Sequence, residues 1–303
     1  MKNVDCYLCN SSKSSVLFKQ KGFDSYLAKV FDKVPEEDLN WVICTGCGFV
    51  YRTPALEDME LIALYEKYEQ DIFSNTTPDD YFDKIISLPN NESENWKKTE
   101  WLKNALTGYK HINERSVFLD IGCGGGTLLY TLREKLSLKN IFGVELNSVY
   151  ANLASNRLDT DVINENYKSG MFNHLFDLII NTKVLEHVPD PLPFLMEMNR
   201  DLNVKGLLFL EVPDISDMYH LPPSHERFFI PHIYFFSVKS LTVLLGRAGF
   251  NVVKSRVVQT SRHRSYLQIL AMKEDQAADK VEAFDSYLSV KKKIQKNIDK
   301  YEL

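Results

Sequence analysis

The chain has no run of about 18 consecutive apolar residues, so no membrane-spanning helix is expected. Its N-terminus, MKNVDCYLCNSSKSS, lacks the apolar stretch of a secretory signal. Positive charge is not in excess: 36 Lys and Arg stand against 41 Asp and Glu, a net charge of −5. Binding to phosphate backbones needs clustered basic residues, so this balance argues against nucleic acid as a partner. Cysteine is scarce, with five in 303 residues. Without an export signal the expected location is the cytoplasm, where thiols stay reduced or bind metal rather than pair as disulfides. No internal repeat and no low-complexity segment is present.

Apolar residues make up 44% of the chain and charged residues 25%, enough for a substantial core in one large or two modest domains. Residues 1–70 read as a small cysteine-bearing module that ends in an amphipathic helix over 57–70, EDMELIALYEKYEQ. Residues 71–93, rich in Asn, Asp, Ser, Thr and Pro, read as a linker or flap. A helix is expected over about 94–110. Strands then alternate with helices, at 116–121, 140–146, 160–164, 175–181 and 206–212. That alternation implies an α/β domain over 94–275 with a parallel sheet between helices. Ser237 should cap a helix that stops at Gly249, and 251–259 with 264–272 should form an antiparallel hairpin. Residues 276–303 read as a charged C-terminal helix.

Cys6-Tyr-Leu-Cys9 and Cys44-Thr-Gly-Cys47 form two C-x-x-C pairs separated by 34 residues. Zinc takes four thiolates in a tetrahedron, and two such knuckles supply them. Cys6, Cys9, Cys44 and Cys47 are therefore expected to hold a closed, structural zinc. Cys123 falls in a glycine loop and reads as a small loop residue.

That loop, Asp120-Ile-Gly122-Cys-Gly124-Gly125-Gly126-Thr127, follows an apolar strand. Its glycines admit positive φ and close approach of a ligand to the backbone. The dinucleotide pattern G-x-G-x-x-G fails at Thr127, whereas D-x-G-x-G-x-G fits through Asp120, Gly122, Gly124 and Gly126. Glu145 ends the next strand, 19 residues past Gly126, where a carboxylate can accept both ribose hydroxyls. Asp120 discriminates between ligands: a diphosphate over the loop would meet an unfavourable charge there, and a sulfonium with an ammonium group would not. The loop reads best as an S-adenosylmethionine (SAM) site.

Together DIGCGGG (120–126), GVELN (143–147), FDLIINTKVLEHVPDP (176–191) and GLLFLEVPD (206–214) resemble a class I SAM-dependent methyltransferase over about 116–272. The resemblance implies a Rossmann-like, seven-stranded sheet whose last strand is antiparallel. It also implies cofactor contacts from Asp120, Gly122, Gly124, Glu145 and Leu146, from Asn164 and Glu165 near adenine, and from Asn181, Thr182 and Lys183. With the four cysteines, the whole chain resembles bacterial methyltransferases of nucleotide-linked sugars. The implied acceptor is then a small molecule, a sugar or nucleotide-sugar of surface polysaccharide or secondary metabolism. C-methylating members carry a Glu-His-x-x-Tyr motif. Here Pro231 replaces the Glu and Phe235 the Tyr, which leaves O-, N- and C-methylation open.

Methyl transfer needs alignment of donor and acceptor, and a hydroxyl acceptor also needs a base. The histidines past the cofactor strands are His187, His220, His225 and His232. His232, in the aromatic stretch where the acceptor should lie, is the first candidate base. His187 and Tyr234 are the other catalytic candidates. His225 and Arg227 are candidates for an anionic acceptor group. The zinc module and the 71–93 segment are expected to close over the acceptor. Three rival readings stay open: an RNA methyltransferase with a zinc module, an NAD-binding oxidoreductase or epimerase, and a non-catalytic SAM-binding scaffold.

Overall fold

A computed structural model describes residues 3–20, 39–57, 60, 76–109, 112–228, 232–260, 262–274 and 284–301. The helix expected over 57–70 lies outside the described residues apart from Glu57 and Glu60.

Two sheets organise the chain. The larger has seven strands in the order β10-β11-β8-β7-β4-β5-β6. These are β4 (Val117–Ile121), β5 (Asn140–Val144), β6 (Val162–Ile163), β7 (Phe176–Thr182), β8 (Leu202–Pro213), β10 (Phe250–Gln259) and β11 (Ser265–Lys273). Strands β4 to β8 pair in parallel, while β11 runs antiparallel to both β8 and β10. This is the sheet of a class I methyltransferase, including the antiparallel strand expected near its end. All five expected parallel strands are present, shifted by a few residues at their ends.

The sheet is buried on both faces, as parallel sheets are, so its strands read as nearly continuous apolar runs. Side chains of period two divide between the faces. Phe118, Leu178, Ile180 and Phe209 pack on one side, and Leu119, Ile179, Leu208 and Leu210 on the other. The helices α1 (Pro78–Ile86), α2 (Glu94–Leu106), α3 (Thr127–Leu136), α4 (Ser148–Leu158), α5 (Pro191–Asp201) and α6 (Val238–Arg247) flank the sheet. Ser93, Asn147 and Ser237 cap three of them by accepting a hydrogen bond from the amide three residues on.

Within the segment read as a linker or flap, residues 76–93 carry the helix α1. Thr77 caps α1, Phe82 is buried, and Arg157 of α4 lies against Asp79 and Asp83. The sequence is polar because only one face of this short helix is covered. Phe82, beneath Arg157 and beside Tyr130, holds it to the domain.

The smaller sheet has the order β1-β2-β3-β9, from β1 (Ser14–Gln20), β2 (Leu39–Cys44), β3 (Val50–Thr53) and β9 (Tyr234–Phe235). Its fourth strand thus comes from the segment that follows β8. The C-terminal helix α7 (Tyr287–Ile298) buries Val290, Ile294 and Ile298 against Trp41 and Ile43 of this sheet. No helix among the described residues is long and apolar enough to cross a membrane.

Candidate active site

Strand β4 has β5 on one side and β7 on the other, so the sheet changes direction of winding there. Open α/β sheets bind ligands at the carboxyl ends of the strands beside such a point. The glycine loop leaves β4 at this place. Gly122, Gly124 and Gly126 all have positive φ, at 76°, 53° and 81°. A Cβ on Gly122 would come within 2.3 Å of Val184 Cγ2, so the loop after β7 lies directly against the glycine loop.

Glu145 is bonded within the loops. Its Oε2 accepts from Gly124 N at 2.7 Å and its Oε1 from Asn147 N at 2.9 Å. Burial raises its pKa, opposed by these amide bonds. The side-chain amide of Asn164 donates to the carbonyls of Glu145 and Leu146, at 2.9 and 2.7 Å, and fixes the turn that carries the acid. Asp120 is fully buried, and burial pushes its carboxyl up to about 8. Its Oδ1 and the Oδ1 of Asn181 have no partner among the described residues, whereas Asn181 Nδ2 donates to Ile121 O at 3.0 Å. Unsatisfied buried oxygens beside a glycine loop suit a cationic or hydrogen-bonding ligand, so these residues fit SAM. Thr182 ends β7. Lys183, at φ 62°, turns its ammonium toward Glu94 and Glu211 and over the ring of Tyr266.

Several acceptor-side residues take structural positions. Arg227 is buried, and each nitrogen of its guanidinium makes a hydrogen bond. Nε donates to Asp217 at 2.8 Å, Nη1 to Tyr266 OH at 2.9 Å and Nη2 to Ser265 O at 3.0 Å. It clamps the loop to β11 through three of its five N–H groups. His225 Nδ1 accepts from Arg227 N at 3.0 Å, which ties this ring to the same loop. Tyr234 is fully buried, and its hydroxyl donates to the carbonyls of Val188 and Pro189. Burial drives its pKa well up. That hydroxyl holds the turn at Val188 and Pro189. His220 bonds Ser216 O and His263 O and is likewise a loop tie.

His187 and His232 do come together, with ring centroids 4.9 Å apart. His232 is buried, and burial followed by the neighbouring His187 holds its pKa well below the usual value. Glu186, not singled out from the sequence, completes the group. It is 1% exposed, burial pushes its carboxyl to about 8, and its Oε2 is unpartnered among the described residues. The string Leu-Glu-His was visible, but its glutamate faces inward only because a short 3-10 turn, Leu185–His187, follows β7. A second overlooked residue is Glu211 at the end of β8. It accepts from Lys98 at 2.8 Å and from Gln268.

The four cysteines converge as expected. Cys6 and Cys47 sulfurs are 3.5 Å apart, as are those of Cys9 and Cys44, and all four lie within 4.8 Å of one another. Tetrahedral zinc with bonds of about 2.3 Å needs sulfurs about 3.8 Å apart, so the cluster is able to hold that ion. Cys123 is buried beside Gly143, and burial raises its thiol pKa, in keeping with a packing residue.

Residues 95–255 match the family of methyltransferase domains. The chain belongs to that family. This methyltransferase is 27% identical over 169 residues to the tRNA U34 carboxymethyltransferase of Aliarcobacter butzleri, covering 52% of this chain and 55% of that protein. It is 25% identical over 259 residues to that of Campylobacter lari, covering 74% and 86%. The chain thus spans only about half the length of the first of these curated relatives. A solved complex of the Haloferax volcanii Trm112 methyltransferase activator with a methyltransferase shares the fold at TM-score 0.50 and 16% identity, over 60% of this chain and 92% of that one. The tRNA-modifying relatives overturn the expectation that charge balance argues against nucleic acid. A net charge of −5 is a sum over the whole surface, and it does not describe any one face.

Proposed function

We propose that this methyltransferase takes the methyl group of SAM to an acceptor carried on RNA, with tRNA the first candidate. The names of the curated relatives carry this reading. An open cleft beside α2 supports it. Trp96, Lys97, Trp101, Asn104 and Arg256 line it, and Arg256 stacks over Trp101 at 4.8 Å. Aromatic rings interleaved with cations suit unstacked bases. Residue 98, next in the chain, bonds Glu211, which faces Lys183 of the cofactor strand. Arg256 of the cleft also donates to Gln268, which donates to the same Glu211, so bonded side chains tie the cleft to the end of β8. Asp120, Asn181, Glu145 and the glycine loop are assigned to SAM, and Cys6, Cys9, Cys44 and Cys47 to a structural zinc.

A second reading keeps a small sugar or nucleotide-sugar as acceptor. The acceptor-side segment supports it: His232 lies buried between the zinc-module sheet and the loop after β7, a setting suited to a compact substrate. Transfer of label from tritiated SAM decides between them. Incorporation into bulk tRNA, lost in Trp101→Ala/Arg256→Ala, supports the RNA reading. Incorporation into a nucleotide-sugar panel and none into tRNA would replace it with the second.

A further inference from the structure

Burying a carboxyl oxygen and an imidazole nitrogen that lack hydrogen-bond partners is costly, and native structures keep such atoms for a reason. Glu186 and His232 are such a pair. Glu186 Oε2 and His232 Nδ1 are both buried without a hydrogen-bond partner among the described residues. His187 stands beside them, its Nε2 3.9 Å from Glu186 Oε1. The ligand atoms of all three lie within 4.8 Å of one another.

The surrounding structure places this triad deliberately. Ile233 N donates to Glu186 O at 2.8 Å, which locks the segment carrying His232 to the turn carrying Glu186 and His187. Arg52 N of β3 donates to Ile233 O at 2.9 Å from the other side. His232 also has a backbone hydrogen bond to Arg227. Nδ1 is the ring atom left without a partner among the described residues. A histidine whose other nitrogen is tied to a carbonyl is set up as a metal ligand. The nearby cations are engaged elsewhere: Arg227 with Asp217, Lys183 with Glu211 and Glu94, and Arg52, which also acts on His232, with Phe228 O and the ring of Trp41. None forms an ion pair with Glu186 among the described residues.

We propose that Glu186, His187 and His232 form a divalent cation site whose open positions take hydroxyls of the acceptor's sugar ring. One carboxylate and two imidazoles on one side of an ion suit a first-row divalent metal and leave the opposite side for oxygen ligands. With metal–ligand bonds of about 2.0–2.2 Å, donors on one side of an ion lie about 3–3.5 Å apart, so closure draws the three side chains together by up to about 1.5 Å. The site adjoins the cofactor loop through Val184 and Gly122. Coordination lowers a hydroxyl's pKa, and its proton passes to solvent water. The oxygen's electron pair then forms the O–CH3 bond as the S–CH3 bond of SAM breaks with its pair on sulfur. Products are a methyl ether and the thioether, and the cation is unchanged. This use of the site rests on the methyltransferase reading, whereas cation binding does not.

The test uses full-length protein with the cysteine cluster filled by zinc, titrated with Mn(II) and followed by electron paramagnetic resonance of the free ion. Wild type should bind one Mn(II). Glu186→Gln and His187→Asn, each checked for folding by circular dichroism, should weaken it at least about tenfold, as loss of a metal ligand does. No Mn(II) binding below millimolar concentration, or unchanged binding in both folded variants, overturns the site. Water-proton relaxation of the bound Mn(II) then reads the acceptor. A fall on adding tRNA or UDP-glucose supports hydroxyl coordination and distinguishes ribose on RNA from a free sugar. A fall with neither overturns the acceptor role. SAM binding, measured separately by calorimetry, shows whether a failure belongs to the cation site or to the methyltransferase reading.

Discussion

Gly124 donates its main-chain N–H to Glu145 Oε2 at 2.7 Å, while Glu145 Oε1 receives Asn147 N at 2.9 Å. One carboxylate thus ties the glycine loop to the turn after β5. Glu145→Gln keeps the shape and removes the charge. Charge-assisted hydrogen bonds contribute about 1.5–3 kcal/mol, so the dissociation constant for SAM should rise by about 10- to 100-fold. Calorimetric titration of both proteins measures it. An unchanged constant in a folded variant would remove Glu145 from the cofactor site.

The contact between Gly122 and Val184 makes a second prediction. Gly122→Ala sets a Cβ against Val184 Cγ2 and forces a side chain to φ 76°. The left-handed conformation alone costs roughly 1–2 kcal/mol. The variant should lose SAM binding and melt several degrees lower. Adding Val184→Ala relieves the clash and not the φ strain, so the double variant should recover part of the melting temperature. If it melts no higher than Gly122→Ala, the steric account fails.

Much of this arrangement was legible in the sequence because it rests on local rules. Apolar strands, glycines and an acid at a fixed spacing define the cofactor side, and C-x-x-C pairs define the cysteine cluster. The acceptor side was not legible, because it depends on long-range pairing. Tyr234 reads as an active-site phenol until β9 pairs with β3 and points its hydroxyl at Val188 O and Pro189 O. Arg227 reads as an anion binder until Asp217, Ser265 and Tyr266 fold around it. Glu186 takes no role from the sequence alone, and it is a 3-10 turn that buries it. Composition misled about partners for the same reason: a net charge carries no positions.

The sheet shared by the zinc module and β9 makes the cysteines matter at a distance. Tyr7, next to Cys6, packs its ring edge-on against Tyr234 with centroids 4.7 Å apart, and β3 holds Tyr234 and Phe235 in register. Cys47→Ser, or chelation, should lower stability by at least a few kcal/mol. That corresponds to a melting temperature about 5–10 °C lower. Amide hydrogen exchange at Ile233, Tyr234 and Phe235 should accelerate, while strands β4 and β5 stay protected. Uniform acceleration across both sheets, or none, would contradict a module that braces the His232 segment.

Asp120 links stability to pH. Burial pushes its carboxyl to about 8, with Lys98 pulling the value down and Glu145 pushing it up. The unfolded chain ionises this group near pH 3.9, so between about pH 4 and 8 the native state holds a proton that the unfolded state has released. The associated stability is full below the unfolded value and is lost as pH rises through 8. Glu186, raised to about 8 by burial, adds a loss of the same sign. Asp120→Asn cannot ionise. Its melting temperature relative to wild type should therefore be higher at pH 8.5 than at pH 5, whatever packing cost it carries at both. Thermal melts of the SAM-free proteins at the two pH values measure this difference. A constant gap would mean that Asp120 ionises normally in the folded protein. A cationic ligand favours the ionised acid, so SAM should stabilise wild type more at pH 8.5 than at pH 5 and should not do so for Asp120→Asn.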